Sequence, residues 1–144
     1  PSLDAAVLSD TSKGLLVTEG EKKALAATQE GFPCVALPGV WNWTEGKSLE
    51  TGQRLPIPDF GLVQWDGRRV WIVFDSDAVR KPQIQCAEVE LARHLIQLGA
   101  VVKIARLPEI GQEKVGLDDF LIAKGHQRLM DSASPFGTVI VSPF

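Results

Sequence analysis

The feature that most constrains this chain is Val70-Trp71-Ile72-Val73-Phe74, an unbroken apolar run that stops at Asp75-Ser76-Asp77. A strand with one face in water alternates apolar and polar residues, so an unbroken run marks a strand buried on both faces, as in a parallel sheet. Shorter runs of the same kind recur at Leu15-Leu16-Val17-Thr18, Cys34-Val35-Ala36-Leu37 and Val101-Val102-Lys103-Ile104-Ala105, with Thr138-Val139-Ile140-Val141 as a fifth of unclear rank. Helical stretches separate them. Glu21 to Glu30 is rich in Ala, Lys and Glu and stops at Gly31. A longer helix opens at Pro82 and ends at Gly99, with Ile84, Ala87, Leu91, Leu95 and Leu98 on one face. Asp118 to Lys124 reads as a short helix. Strands alternating with helices predict an α/β fold: a mostly parallel sheet of four or five strands with helices on both faces. Val70–Phe74 should lie inside that sheet, parallel to Leu15–Thr18.

One stretch breaks the rhythm. Residues 38–69, between the second and third strands, hold Trp41, Trp43, Trp65, prolines and glycines. An excursion that long inside a compact domain is functional or carries structure of its own. Two readings stand: a self-packed flap whose tryptophans bury its underside, or a surface on which aromatic rings stack nucleotide bases. Few basic residues lie there (Lys47, Arg54, Arg68, Arg69), which weighs against the second.

Composition narrows the classes further. At 144 residues and 44% hydrophobic, the chain suits a single domain, with its core at about 14–124 and residues 38–69 as an insertion. A net charge of −3 argues against a polybasic nucleic-acid coat or a membrane-surface protein. Isolated, the domain should therefore bind DNA weakly, unless Lys22, Lys23, Arg68, Arg69 and Arg80 assemble a basic surface. Cys34 and Cys86 are too few for a disulfide scaffold or a four-ligand zinc site. With no long apolar run and no signal peptide, the expected compartment is the cytoplasm, with no membrane partner. The first residue is Pro rather than Met, which suggests a fragment of a larger protein.

Sites in open parallel sheets form at the carboxyl ends of strands. The first strand ends in Glu19 and the third in Asp75-Ser76-Asp77. Side chains two apart on extended backbone project to one side, so Asp75 and Asp77 should converge, joined by Glu19 if the two strands are neighbours. Three such carboxylates repel one another unless they share a cation, and an all-oxygen set selects Mg²⁺ or Mn²⁺. On this reading, Asp75→Asn or Asp77→Asn should leave the fold intact or slightly more stable. Each residue also has a plainer reading: Asp77 as a turn former or helix N-cap, and Glu19 and Glu21 as partners of a helix dipole. Lys22 and Lys23, at the mouth, would meet phosphate or simply face solvent. His94 and His126 are given no role.

Val17-Thr18-Glu19-Gly20-Glu21-Lys22-Lys23-Ala24, followed by Phe74-Asp75-Ser76-Asp77, resembles the Toprim domain. That Rossmann-like fold is shared by bacterial-type primases, topoisomerases of types IA and II, and OLD-type nucleases. Ala36-Leu37-Pro38-Gly39-Val40-Trp41-Asn42-Trp43 and Gly116-Leu117-Asp118-Asp119-Phe120-Leu121 are most similar to the Toprim-like domain of plasmid- and phage-type primase-helicase replication proteins. The resemblance implies Glu19 as general acid or base and Asp75 and Asp77 as Mg²⁺ ligands. Asp118 or Asp119 matches a further acidic motif, or else caps a helix. The chain has no Tyr, which a topoisomerase needs, and its 38–69 insertion exceeds the compact Toprim core.

Three functions follow from this reading. The first is the Toprim module of a DNA primase, a nucleotidyltransferase acting on DNA and nucleotides beside helicase or zinc-binding domains. The second is a Mg²⁺-dependent nuclease. The third is a non-catalytic module that binds nucleic acid or docks a helicase. The first two need the same carboxylates, so residue types alone do not separate them.

Overall fold

The computed structural model of the chain describes residues 4–107, Gly116 and 138–140, the last three as backbone. Five strands form one sheet: β1 (Leu15–Glu19), β2 (Cys34–Leu37), β5 (Arg69–Phe74), β6 (Val101–Arg106) and β7 (Thr138–Ile140). Their order is β2-β1-β5-β6-β7. The first four run parallel, and β7 closes the edge antiparallel to β6. The unbroken run of β5 thus lies inside the sheet and parallel to β1, as the sequence predicts. Strands β3 (Thr44–Lys47) and β4 (Arg54–Pro56) form a separate antiparallel hairpin inside the 38–69 excursion.

The sheet is buried on both faces, and period-two alternation assigns each residue to one of them. Leu15, Val17, Val70, Ile72, Phe74, Val102 and Ile104 share a core with Leu91, Ala92 and Leu95 of helix α3 (Pro82–Gln97). Leu16, Val73 and Ala105 point the other way, against Ala24 and Ala27 of helix α2 (Glu21–Gln29) and against Phe32. Each fully buried aliphatic side chain contributes roughly 1.5–3 kcal/mol, so slipping one strand by one residue would forfeit several such terms at once. Gly99 ends α3 with φ +94°, and a Cβ there would collide with Asp66. Leu98, expected on the apolar face, is exposed. The buried stripe is instead Ala87, Glu88, Leu91, Ala92 and Leu95, so it includes a carboxylate.

The excursion packs on the α3 face. Trp43 and Trp65 are buried with Phe60, and the Trp65 indole Nε1 donates to the Phe60 carbonyl at 2.9 Å. The self-packed flap therefore holds for these two rings, which have no face left for a base. Trp41 is half-buried, with the Arg54 guanidinium 3.9 Å above its ring centroid.

A short helix, α1 (Ala5–Ser9), precedes β1 and was not foreseen from sequence. Arg68 ties it down. The Arg68 side chain is fully buried and donates five hydrogen bonds to the carbonyls of Val7, Leu8, Asp10, Lys13 and Gln64. Among the described residues, no helix is long and apolar enough to cross a membrane.

Candidate functional site

The strand order creates a switch point. From β1 the chain crosses to β2 on one side, then returns to β5 on the other. The connection after β1 leads to α2 on one face, and that after β5 leads to α3 on the opposite face. Diverging connections leave a crevice at the carboxyl ends of the two neighbouring strands, the usual ligand position in open α/β sheets. Glu19 closes β1 beside Gly20, whose φ of +93° turns the chain into α2 and strains any residue with a Cβ. The β1–β5 register pairs Val17 with Ile72, and the Thr18 hydroxyl donates to the Val73 carbonyl at 2.8 Å. Continuing that register sets Glu19 level with Phe74, one residue short of Asp75.

The carboxylates are arranged differently from the expectation. Asp75 is the last extended residue, and Ser76–Arg80 form a 3₁₀ turn. Asp77 is therefore not on extended backbone, and the two-residue alternation that should align it with Asp75 does not apply. Each aspartate has its own cation. Lys23 Nζ, from the first turn of α2, lies 2.6 Å from Asp75 Oδ1, and Lys81 Nζ lies 2.6 Å from Asp77 Oδ2. Asp75 is only 5% exposed, and Lys23 brings a positive charge to it in that buried position. The expected mutual repulsion is thus replaced by pairing. Among the described residues, no three His, Cys, Asp or Glu side chains stand together as a set that could hold a metal ion.

Carboxylate oxygens are the donor type a hard divalent cation takes, but Glu19, Asp75 and Asp77 are not gathered into one ligand set among the described residues. Lys23 and Lys81 are the cations that lie against Asp75 and Asp77. Lys23 is therefore first an ion-pair partner, while Lys22 is exposed. Asp118 and Asp119 lie outside the described residues.

Sequence reasoning missed a second charged pair behind this turn. Glu88, fully buried on α3, meets Arg106 at the end of β6, with Nη2 2.5 Å from Oε2. Arg106 pairs in register with Phe74, the residue before Asp75. Burial pushes the Glu88 carboxyl up to about 7, against the opposing pull of Arg106. The available signal was a lone acidic residue inside an otherwise apolar helical stripe.

The supposed basic surface does not form. Arg68 is buried under α1, and Lys23 is paired with Asp75. Arg69 opens β5 whereas Arg80 follows its end, so the two sit at opposite ends of that strand.

Comparison with known proteins adds the chain's kinship. It is 27% identical over 132 residues to an uncharacterized protein of Picosynechococcus sp.. That match covers 85% of this chain and only 13% of its relative, so the chain spans a small part of the protein it matches. No solved structure matches it significantly. Residues 5–128 match the family described as a domain of unknown function, DUF3854, and the chain belongs to that family.

Proposed function

We propose that this chain is a divalent-cation-dependent phosphoryl-transfer domain acting on nucleic acid, built like a Toprim module and most similar in role to that of a DNA primase. The observation that carries the reading is the coincidence of the β1–β5 switch point with Glu19, Asp75 and Asp77. In this role Asp75 and Asp77 hold Mg²⁺ or Mn²⁺, and Glu19 takes or gives the proton at the attacking oxygen. The bound ion supplies charge neutralisation at the phosphate oxygens. Exposed Lys22 meets the outer phosphates, and Lys23, released from Asp75, adds a second positive charge at the mouth. A nuclease would use the same groups with water as the nucleophile. Neighbouring helicase or zinc-binding domains would supply the grip on the template that a chain of net charge −3 lacks.

One observation favours a second reading, a non-catalytic docking module. Both aspartates are already neutralised by lysines of the chain itself. Primer synthesis on single-stranded template with Mg²⁺ and nucleoside triphosphates separates the two. Activity lost in Glu19→Gln and Asp75→Asn supports the enzyme. If neither synthesis nor cleavage occurs, the docking module stands.

A further inference from the structure

The crevice is not the only concave surface. Between the β3–β4 hairpin and the outer side of α3 lies a cleft of about 840 Å³, within the range of small-ligand sites. Its helix wall runs from Cys86 to Gln97, and its lining includes none of Glu19, Asp75 and Asp77. The cleft is thus separate from the carboxylates.

Its floor and walls differ in chemistry. At the floor, the Trp43 indole, 1% exposed, stacks on the His94 imidazole with centroids 5.3 Å apart. Trp43 Nε1 and His94 Nε2 are both buried, and neither has a hydrogen-bond partner among the described residues. Buried polar atoms are almost always paired, so two orphans in one cleft point to a ligand with its own donors and acceptors. Burial also holds His94 below its usual pKa, which leaves a neutral ring able both to donate and to accept. On the hairpin side, the Arg54 guanidinium carbon lies 3.9 Å from the Trp41 ring centroid, a cation–π pair that sets a positive charge beside an aromatic ring. Lys47, Arg54 and Arg93 bring three positive charges to the lining, and Glu90, the one carboxylate there, pairs with Arg93 at 3.6 Å.

A simple anion would use the cations alone, and an apolar ring would use only Trp41. A nucleotide uses all of them: a planar base to stack, edge groups for the indole and imidazole, and phosphates for Lys47, Arg54 and Arg93. We propose that this cleft binds a nucleotide, either free or within a single strand. The choice of ligand rests in part on the phosphoryl-transfer reading, but the test needs neither metal nor turnover.

The whole chain is titrated in chelator with an oligothymidylate of about eight nucleotides, and separately with a deoxynucleoside triphosphate and inorganic tripolyphosphate. Tryptophan fluorescence reports binding. The nucleic-acid probes are expected to quench and to bind at least tenfold tighter than tripolyphosphate. Lys47→Ala with Arg54→Ala should weaken them at least tenfold, and the exposed-site variant Arg93→Ala about threefold, with unchanged circular dichroism. Loss of binding in the cleft variants, with the acidic residues untouched, keeps this result independent of the acidic site. Tighter binding of the oligomer assigns a strand, and equal or tighter binding of the triphosphate assigns a free nucleotide. The proposal is overturned if no probe binds at millimolar concentration, if tripolyphosphate binds as well as the nucleotides, or if the folded variants bind like the parent.

Discussion

Replacing Arg68 tests how the N-terminal segment is held. Its guanidinium spends every N–H on backbone carbonyls, four from α1 and the turn after it and one from Gln64. Hydrogen bonds from charged donors are each worth about 1.5–3 kcal/mol. Added together, five would exceed much of a domain's stability of about 5–15 kcal/mol. They do not add, because α1 has no buried residues and its freed carbonyls can be rehydrated. The cost of Arg68→Met is accordingly nearer the 3–5 kcal/mol typical of removing one partner of a buried charged network. At about 2–4 °C per kcal/mol, that lowers Tm by roughly 6–20 °C. Arg68→Lys keeps the charge but has only three donors on one atom, so about half that loss is expected. Urea unfolding followed by far-ultraviolet circular dichroism measures both. If either variant lies within about 1 kcal/mol of the parent, the Arg68 network is not what anchors this segment.

Two further outcomes follow from the charged pairs. Asp75→Asn should destabilise by about 1–2 kcal/mol, because it leaves Lys23 facing an amide while Lys23, 20% exposed, recovers part of its hydration. A stabilised variant in the same urea assay would restore the repulsion picture. The Glu88 carboxyl titrates near 7 in the fold against an ordinary 4.5, so the folded chain binds that proton more tightly than the unfolded one. Its contribution is complete below pH 4.5 and is lost as pH rises through 7. Glu88→Gln should flatten the profile of urea midpoint against pH across that interval, and an unaltered slope would refute the assignment.

Much of the architecture was legible because burial on both faces leaves a local mark. The unbroken run of β5 required an interior strand, and the glycine stop at Gly99 ended α3. The site was only half legible. Glu19 and Asp75 could be placed at strand ends, but no local pattern shows that the chain enters a 3₁₀ turn straight after Asp75 and carries Asp77 off the strand axis. Nor does spacing reveal a partner from another element. Lys23 looks like one more charge on a helix, and becomes the counter-ion of Asp75 only when α2 packs beside β5. Glu88 and Arg106 likewise lie on a helix and a strand, each unexceptional alone. Arg68-Arg69 reads as a basic pair, yet one residue is sealed under α1 and the other exposed, a split that depends on a five-residue helix too short to show a clear helical period.

The most direct test of the proposed function is calorimetric titration of Mn²⁺ into the parent, Asp75→Asn and Lys23→Met. If the crevice is a divalent-cation site, the parent binds Mn²⁺ and Asp75→Asn does not. Lys23→Met then binds more tightly than the parent, because the ammonium 2.6 Å from Asp75 no longer competes with the ion. Equal binding by the parent and Asp75→Asn, or no binding at millimolar Mn²⁺ by either the parent or Lys23→Met, would contradict it.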